Sequence, residues 1–125
     1  PEFEALIESL PKHRRLIVLS CGNLGGAGIF PRLIGSLYEY ISRTYHAKLR
    51  EITTKHGGIY VDLFDERDSD PFVREPEVYL APDYFHPSSR EYEYWFSKVE
   101  AKLEESMKFS KEKRSFKPTV VKVKY

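Results

Sequence analysis

Two short, nearly unbroken apolar runs lie on either side of a long helical pattern in the first half of the chain. Leu16 to Leu19 and Ile59 to Phe64, which contains only Asp62 as a charged member, lack the polar alternation of a strand with one wet face. Such runs are typical of strands covered on both faces, as in a parallel sheet. Between them, apolar residues recur every three or four positions and predict one helix of about five or six turns. Its apolar stripe comprises Leu33, Ile34, Leu37, Tyr38, Ile41, Tyr45, Leu49 and Ile52.

Shorter patterns complete the predicted fold. The spacing of apolar residues predicts a helix over Glu2 to Leu10, which Pro11 ends. Residues 65–82 are polar and contain three prolines, so they predict a loop. A final helix is predicted from Pro87, because Ser88 and Glu91 have the spacing of a capping box. The order helix, strand, helix, strand, helix predicts an α/β fold with a layered sheet.

The composition excludes several classes of function. The chain has 125 residues, 41% of them hydrophobic, and a net charge of +1, which is not the strong basic bias of a nucleic-acid binder. No apolar run is long enough for a transmembrane segment. Cys21 is the single cysteine, so the chain forms no internal disulfide, which favours a reducing compartment such as the cytoplasm. Because Cys21 follows an apolar strand, we predict that it is packed and is not a nucleophile.

The stretch from Pro82 to Ser89 has the strongest chemical pattern. Asp83 precedes His86 by three residues, just before the predicted helix. This spacing allows the carboxylate to fold back onto the imidazole, hold one tautomer and stabilise the imidazolium. The second ring nitrogen then faces outward as a general base. The same short pattern also occurs in ordinary surface turns, so these residues alone leave both interpretations open.

The order of several blocks resembles the C-terminal part of SGNH (GDSL) hydrolases. In that family an Asp-x-x-His-Pro-Ser block is followed by an aromatic residue and by a Trp in the closing helix. Tyr60 to Leu63 resembles the last strand of the family's sheet, and Leu16 to Leu19 with the Cys21–Gly25 loop resembles the strand before it. The resemblance covers residues 1–106. Residues 107–125 form a basic extension, with seven Lys or Arg and one Glu from Lys108 onward. The matching residues of the catalytic block are Asp83, His86, Pro87, Ser88, Tyr92 and Trp95.

This resemblance implies both a fold and an activity. The implied fold is a three-layer αβα flavodoxin-like parallel sheet, of which this chain supplies the C-terminal strands and helices. The implied activity is hydrolysis of a small-molecule ester or acyl lipid, with Asp83 and His86 catalytic and with no cofactor or metal. The family's Gly-Asp-Ser nucleophile motif does not occur in this sequence, which begins at Pro1. We therefore expect an N-terminal part of the same domain, on the same or a second chain, to supply the serine.

The sequence leaves two interpretations of the chain and offers two further candidate residues. The chain is either part of an esterase or a non-catalytic module of the same fold that binds a partner or a glycan. Asn23 follows a strand end like the family's oxyanion asparagine, but too few elements separate it from Asp83, so we interpret it as a loop residue. Ser20 is the best substitute nucleophile within the chain.

The loop from Gly22 to Gly28 lacks the residues of a phosphate loop and is predicted to be a mobile substrate-side loop. His13, His46 and His56 are predicted on polar turns or helix faces, without metal-ligand spacing.

Overall fold

The structure, a computed structural model, describes residues 2–11 and 15–115, with side chains up to residue 111. The chain has a mixed α/β fold that is mostly helical and contains a small parallel sheet of two strands. The elements are α1 (Glu2–Ser9), β1 (Ile17–Leu19), α2 (Arg32–Lys55), β2 (Ile59–Val61), α3 (Pro71–Arg74), α4 (Pro76–Tyr79) and α5 (Ser89–Ser115).

The predicted βαβ unit is confirmed. Strands β1 and β2 pair in parallel, with Ile17 opposite Ile59 and Leu19 opposite Val61. One further hydrogen bond, from the Ser20 amide to the Val61 carbonyl oxygen, extends the pairing beyond the strand end. Both long helices, α2 and α5, contact β2. Of the two strands, β2 is therefore the better covered by helices.

In the described part of the chain, β1 is the more exposed strand. On β1, Ile17 is 39% exposed and Leu19 is 49% exposed, so the prediction of a strand covered on both faces is not met there. Helix α2 has the predicted apolar stripe and stops before Gly57, whose positive φ of 73° suits a helix end. Much of the stripe is exposed, including Leu33, Leu37 and Ile41. Contiguous exposed apolar surface of this kind is typical of an interaction surface.

The prediction of a loop over residues 65–82 is wrong in its second half. Two short helices, α3 and α4, lie there, and each begins with a proline. Proline suits the first helical position because its φ is already helical. An N–H at this position would have no acceptor within the helix, so its absence costs nothing. Asp70 caps α3 by accepting a hydrogen bond from the Phe72 amide at 2.8 Å. The prolines that predicted irregular structure are thus helix starts.

Helix α5 begins as predicted, although its capping differs in one respect. The Ser88 hydroxyl accepts hydrogen bonds from the amides of Arg90 and Glu91, which confirms the serine cap. The Glu91 side chain does not return to the cap, because it is directed inward and is only 1% exposed. The helix continues past residue 106, so the first part of the basic extension is helical to Ser115. A weakly alternating segment, Thr119 to Tyr125, lies outside the described residues.

Two predictions about single residues are wrong. His46 was expected on a polar helix face but is 7% exposed and packs edge-on against Phe64, with 5.7 Å between the ring centroids. Burial lowers the pKa of His46. Cys21 was expected to be packed but is exposed. Among the described residues, none of the helices combines the length and the apolar character needed to cross a membrane.

Candidate active site

The structure brings together the two predicted catalytic residues. Oδ2 of Asp83 lies 2.5 Å from Nδ1 of His86. The other carboxylate oxygen, Oδ1, accepts hydrogen bonds from the amides of Phe85 and His86, both at 3.0 Å. One carboxylate therefore fixes the backbone of the turn with one oxygen and the imidazole with the other. Both side chains are more than half exposed, at 51% for Asp83 and 67% for His86.

Hydrogen bonds at its ends hold this turn in shape. The Ala81 amide donates to the His86 carbonyl oxygen at 2.8 Å, and the Tyr84 amide donates to the Ala81 carbonyl oxygen at 2.9 Å. Tyr84 has a φ of 55°, the only positive value of a non-glycine residue in the described chain. An aromatic residue adopts this conformation at an energetic cost, and such strain persists where the surroundings determine the backbone. The turn is therefore preorganised to present His86.

The electrostatics of the pair select one tautomer of His86. The hydrogen bond with the His86 side chain, reinforced by the two backbone amides, holds the pKa of Asp83 well below its usual range. An ionised carboxylate only accepts hydrogen bonds, so Nδ1 of His86 carries the proton. Nε2 then has a free lone pair, and within the described residues it has no hydrogen-bond partner. This arrangement is that of a general base.

One exposed aromatic side chain packs against the imidazole, and a second lies in the same turn. The ring of Phe85 lies edge-on to the His86 ring, with centroids 4.9 Å apart, and is 47% exposed. Tyr84 is 63% exposed and helps to line a shallow groove of about 490 Å³ between α4 and the turn. Val78 and Pro87 also line this groove. His86 does not line this groove, so the exposed ring of Phe85 is the apolar surface that lies directly against the imidazole.

The serines of the described chain do not complete a catalytic triad. The hydroxyl of Ser20 is 3.2 Å from the Asp62 carboxylate and accepts a hydrogen bond from the Leu63 amide at 2.7 Å. Ser20 is 5% exposed, so it joins the two strand ends and is not open to substrate. The Ser88 hydroxyl caps α5 and donates to the Val78 carbonyl oxygen. In residues 2–11 and 15–111, no serine hydroxyl is hydrogen-bonded to His86.

Asn23 is fully engaged in the interior. Its amide nitrogen donates to Oε1 of Glu39 at 2.7 Å and to the Asp65 carbonyl oxygen at 3.1 Å, and its oxygen accepts from the Gly26 amide. Asn23 is 1% exposed. Burial opposes the ionisation of Glu39, but hydrogen bonds from Asn23 and Arg67 outweigh it and lower the pKa of this carboxyl. Asn23 thus holds the loop onto α2, in keeping with its interpretation as a loop residue.

Sequence reasoning missed a partly buried polar cluster at the first turns of α5. Asp65 accepts hydrogen bonds from the Tyr94 hydroxyl at 3.0 Å and from the Lys98 ammonium at 2.7 Å. Asp70 and Glu91 complete the cluster and are 2% and 1% exposed. Burial raises the pKa of Asp70 to about 6 and that of Glu91 to about 7. The sequence held no signal for this cluster, because Glu91 occupies a position where a capping role was the simpler prediction.

A second group of possible metal ligands joins α1 to the end of α2. Ligand atoms of Glu4, Glu8 and His56 all lie within 4.8 Å of one another. The Lys55 ammonium lies 2.6 Å from Oε1 of Glu4, and the two hydrogen bonds from Lys55 and His56 lower the pKa of Glu4 to about 2. Lys55 therefore already supplies a positive charge to this group, which ties the N-terminal helix to α2.

Among the residues that the structure describes, the Asp83–His86 pair is the arrangement best suited to acid–base chemistry, because Asp83 fixes the tautomer of His86 and the His86 side chain is exposed. A comparison of the chain with protein-family models, curated proteins and solved structures gives no match.

Proposed function

We propose that the chain is the C-terminal part of an SGNH-type serine hydrolase that cleaves carboxylic esters. The observation that carries this proposal is the 2.5 Å contact between Oδ2 of Asp83 and Nδ1 of His86, which leaves Nε2 of His86 exposed. In a Ser-His-Asp mechanism, the histidine nitrogen that is hydrogen-bonded to the aspartate keeps its proton. The other ring nitrogen accepts the proton of the serine hydroxyl. The preorganised turn around Tyr84 supports the same assignment.

The roles of the two residues follow from this geometry. His86 accepts the serine proton as the serine oxygen attacks the ester carbonyl carbon, and then donates that proton to the departing alcohol. In the second half-reaction, His86 takes a proton from water as the water oxygen attacks the acyl-enzyme. His86 then returns that proton to the serine oxygen as the acid product leaves. Asp83 orients the ring and stabilises the imidazolium. The exposed rings of Tyr84 and Phe85 suit an apolar acyl or alcohol group.

An N-terminal part of the same domain completes the site in this proposal. It adds at least one parallel strand to the free edge of β1 and covers the apolar face of α2, giving a three-layer αβα flavodoxin-like sheet. Exposed side chains on both surfaces support this arrangement, because Ile17 and Leu19 lie on β1 while Leu33 and Leu37 lie on α2. The added part brings the nucleophilic serine and the donors of the oxyanion hole to His86.

Hydrolysis of short-chain nitrophenyl esters by the complete protein tests this proposal. We expect turnover and covalent labelling by a fluorophosphonate. The 125-residue chain alone should show neither, because no serine described in it is hydrogen-bonded to His86. A complete protein that neither turns over such esters nor reacts with the fluorophosphonate contradicts the proposal. Serine-dependent turnover by the chain alone contradicts the assignment of the nucleophile to another segment.

A second candidate is a non-catalytic module of the same fold that binds a partner or a glycan. The observation that favours it is the engagement of the Ser20 and Ser88 hydroxyls in structural hydrogen bonds. The coding sequence upstream of Pro1 separates the candidates. A Gly-Asp-Ser motif followed by a Gly-x-Asn motif supports the enzyme, and a start codon directly before Pro1 supports the binding module.

A further inference from the structure

The indole of Trp95 joins helix α5 to the loop that follows β1. Its ring lies edge-on to the ring of Phe72, with 5.9 Å between the centroids, and edge-on to the ring of Tyr92, with 5.7 Å between them. The Nε1 atom of Trp95 is buried and has no hydrogen-bond partner in the described structure. Packing, and not a hydrogen bond, therefore holds the indole in place, although a buried indole N–H usually finds an acceptor.

Gly22 is the surface on which the Trp95 indole rests. A Cβ atom on Gly22 would lie 2.7 Å from Cζ2 of Trp95 and 3.2 Å from Cε2 of Phe72. The φ of Gly22 is not positive, so the lack of space, and not an unusual backbone conformation, makes glycine the residue that fits. Gly22 follows the end of β1 at Leu19 by three residues. The contact thus sets how closely α5 approaches the loop at the carboxyl end of β1.

Helix α5 connects this contact to the turn that bears His86. Trp95 lies seven residues after Ser88, a separation of about 10 Å along a helix. The Ser88 hydroxyl caps the helix and donates to the Val78 carbonyl oxygen, and the Ser88 amide donates to the Tyr79 carbonyl oxygen at 2.8 Å. Because His86 precedes Ser88 by only two residues, a displacement of α5 at Trp95 should displace the imidazole as well.

A second contact holds the same part of α5 to the loop after β2. The Tyr94 hydroxyl and the Lys98 ammonium both bind the Asp65 carboxylate, at 3.0 Å and 2.7 Å. Helix α5 is therefore fastened to the loops that follow both strands, by packing at Gly22 and by charge at Asp65. In parallel α/β sheets the groups of a site gather at these carboxyl ends.

We propose that Trp95 is a positioning residue, whose packing on Gly22 sets the place of His86 relative to the carboxyl edge of the sheet. This role rests on the proposed esterase function, in which His86 has to meet a serine that another loop supplies. Misplacement of a reacting group by about 1 Å, caused by a change far from the chemistry, can lower a rate about 100-fold. The contact should act on kcat and much less on KM, since neither Gly22 nor Trp95 lines the groove beside the turn.

Three variants of the complete protein test this role by ester hydrolysis. Gly22→Ala pushes the indole away and should reduce kcat about 100-fold with little change in KM. Trp95→Phe leaves room for the added methyl group but loses the contact, so it should reduce kcat about tenfold. The double variant should be about tenfold faster than Gly22→Ala, because the two changes act at one contact and are not additive. Trp95→Phe alone decides the test if Gly22→Ala does not fold.

Gly26→Ala is the matched control in the same loop. A Cβ atom on Gly26 would lie 2.9 Å from Cγ2 of Val73 and 3.0 Å from Nδ2 of Asn23, so it meets α3 and its own loop instead of α5. This variant should lower the melting temperature but keep a kcat close to that of the wild type, measured well below the melting temperature of every variant. Equal losses of kcat in the two glycine variants, or an additive double variant, would overturn the proposal.

Amide NMR resonances of Phe85 and His86 give a readout that needs no catalysis. In the complete protein they should shift in Gly22→Ala, return towards their wild-type positions in the double variant, and stay in place in Gly26→Ala. Unshifted resonances in Gly22→Ala would overturn the positioning role even in an active esterase. A wild type without turnover would contradict the esterase proposal, and the resonances would then still decide whether Trp95 sets the position of the turn.

Discussion

Gly35 on α2 passes the carbonyl oxygen of Gly25 so closely that a Cβ atom on Gly35 would lie 2.5 Å from that oxygen. The same oxygen accepts a hydrogen bond from Arg67 at 3.1 Å. Since both groups at this contact are backbone, no side chain can turn away to make room. The contact brings the glycine-rich loop against α2 and places Asn23 beside Glu39.

Replacement of Gly35 by Ala should destabilise the protein. Alanine is the better helix former, so in an open position the change would stabilise α2. Here the overlap with the Gly25 oxygen should dominate and cost about 1–3 kcal/mol of the free energy of unfolding. Denaturant unfolding of the complete protein measures the effect. Ser36→Ala, at the adjacent exposed position, is the control and should change stability little. A Gly35→Ala variant as stable as the wild type would show that the loop shifts easily.

Substitutions of Asn23 should lower the free energy of unfolding and should not act directly on the catalytic step. Asn23→Ala leaves the buried Glu39 carboxylate without one donor, at a cost of about 1–3 kcal/mol. Asn23→Asp has nearly the same shape but places a second negative charge beside Glu39, so it should be the more damaging variant at neutral pH. Urea unfolding compares the two. A variant with normal stability and a greatly reduced turnover number would instead identify Asn23 as an oxyanion donor.

His86→Ala in the complete protein should reduce ester turnover by several orders of magnitude while leaving the fold intact, because the base and the serine act as one unit. Exposure of the His86 side chain makes a folding defect unexpected. Circular dichroism checks the fold and nitrophenyl ester hydrolysis checks the rate. His56→Ala is the control, since His56 contacts Glu4 and lies in the α1–α2 group. Near-normal turnover of the His86 variant would remove the site assignment.

The turn around Asp83 should resist acid. Its pKa is depressed, first by the His86 side chain and then by the two amides, so the carboxylate stays ionised below its usual value of 3.8. The stabilising contribution is therefore present above that value and is lost only as pH falls further. Amide hydrogen exchange at Phe85 and His86 reports it. We expect protection in the wild type at about pH 4 and its loss in Asp83→Ala, which removes the oxygen that accepts from both amides. Equal protection in both proteins would mean that the backbone alone fixes the turn.

The sequence was sufficient for the parts of the fold that depend on periodicity. The apolar runs at Ile17 and Ile59 and the stripe of α2 predicted the βαβ unit, because an unbroken apolar pattern is typical of strands in a parallel sheet. The spacing of Asp83 and His86 predicted their contact, since three residues at a helix start suffice for a carboxylate to reach an imidazole. Both predictions rest on local geometry.

Features that depend on tertiary packing could not be read from the sequence. Proline predicts either a loop or a helix start, and the cap from Asp70 selects the helix at Pro71. His46 lies in a polar segment, and only the approach of Phe64 shows that it is buried. The burial of Glu91 likewise depends on tertiary packing of α5, whose Trp95 lies edge-on to Phe72 of α3. In each case two local outcomes are similar in energy, and a distant segment selects one.

The Asp83 carboxylate bonds the backbone of the turn with one oxygen and the imidazole with the other. A small molecule can therefore replace this side chain only in part. In Asp83→Gly, added formate or acetate can bind Nδ1 of His86 and restore the lost partner of the imidazole. The free anion has no tether to Phe85, so it restores the orientation of the ring without the backbone bonds that Oδ1 accepts. Chemical rescue should therefore plateau below the wild-type rate, and the shortfall measures the contribution of the folded turn itself.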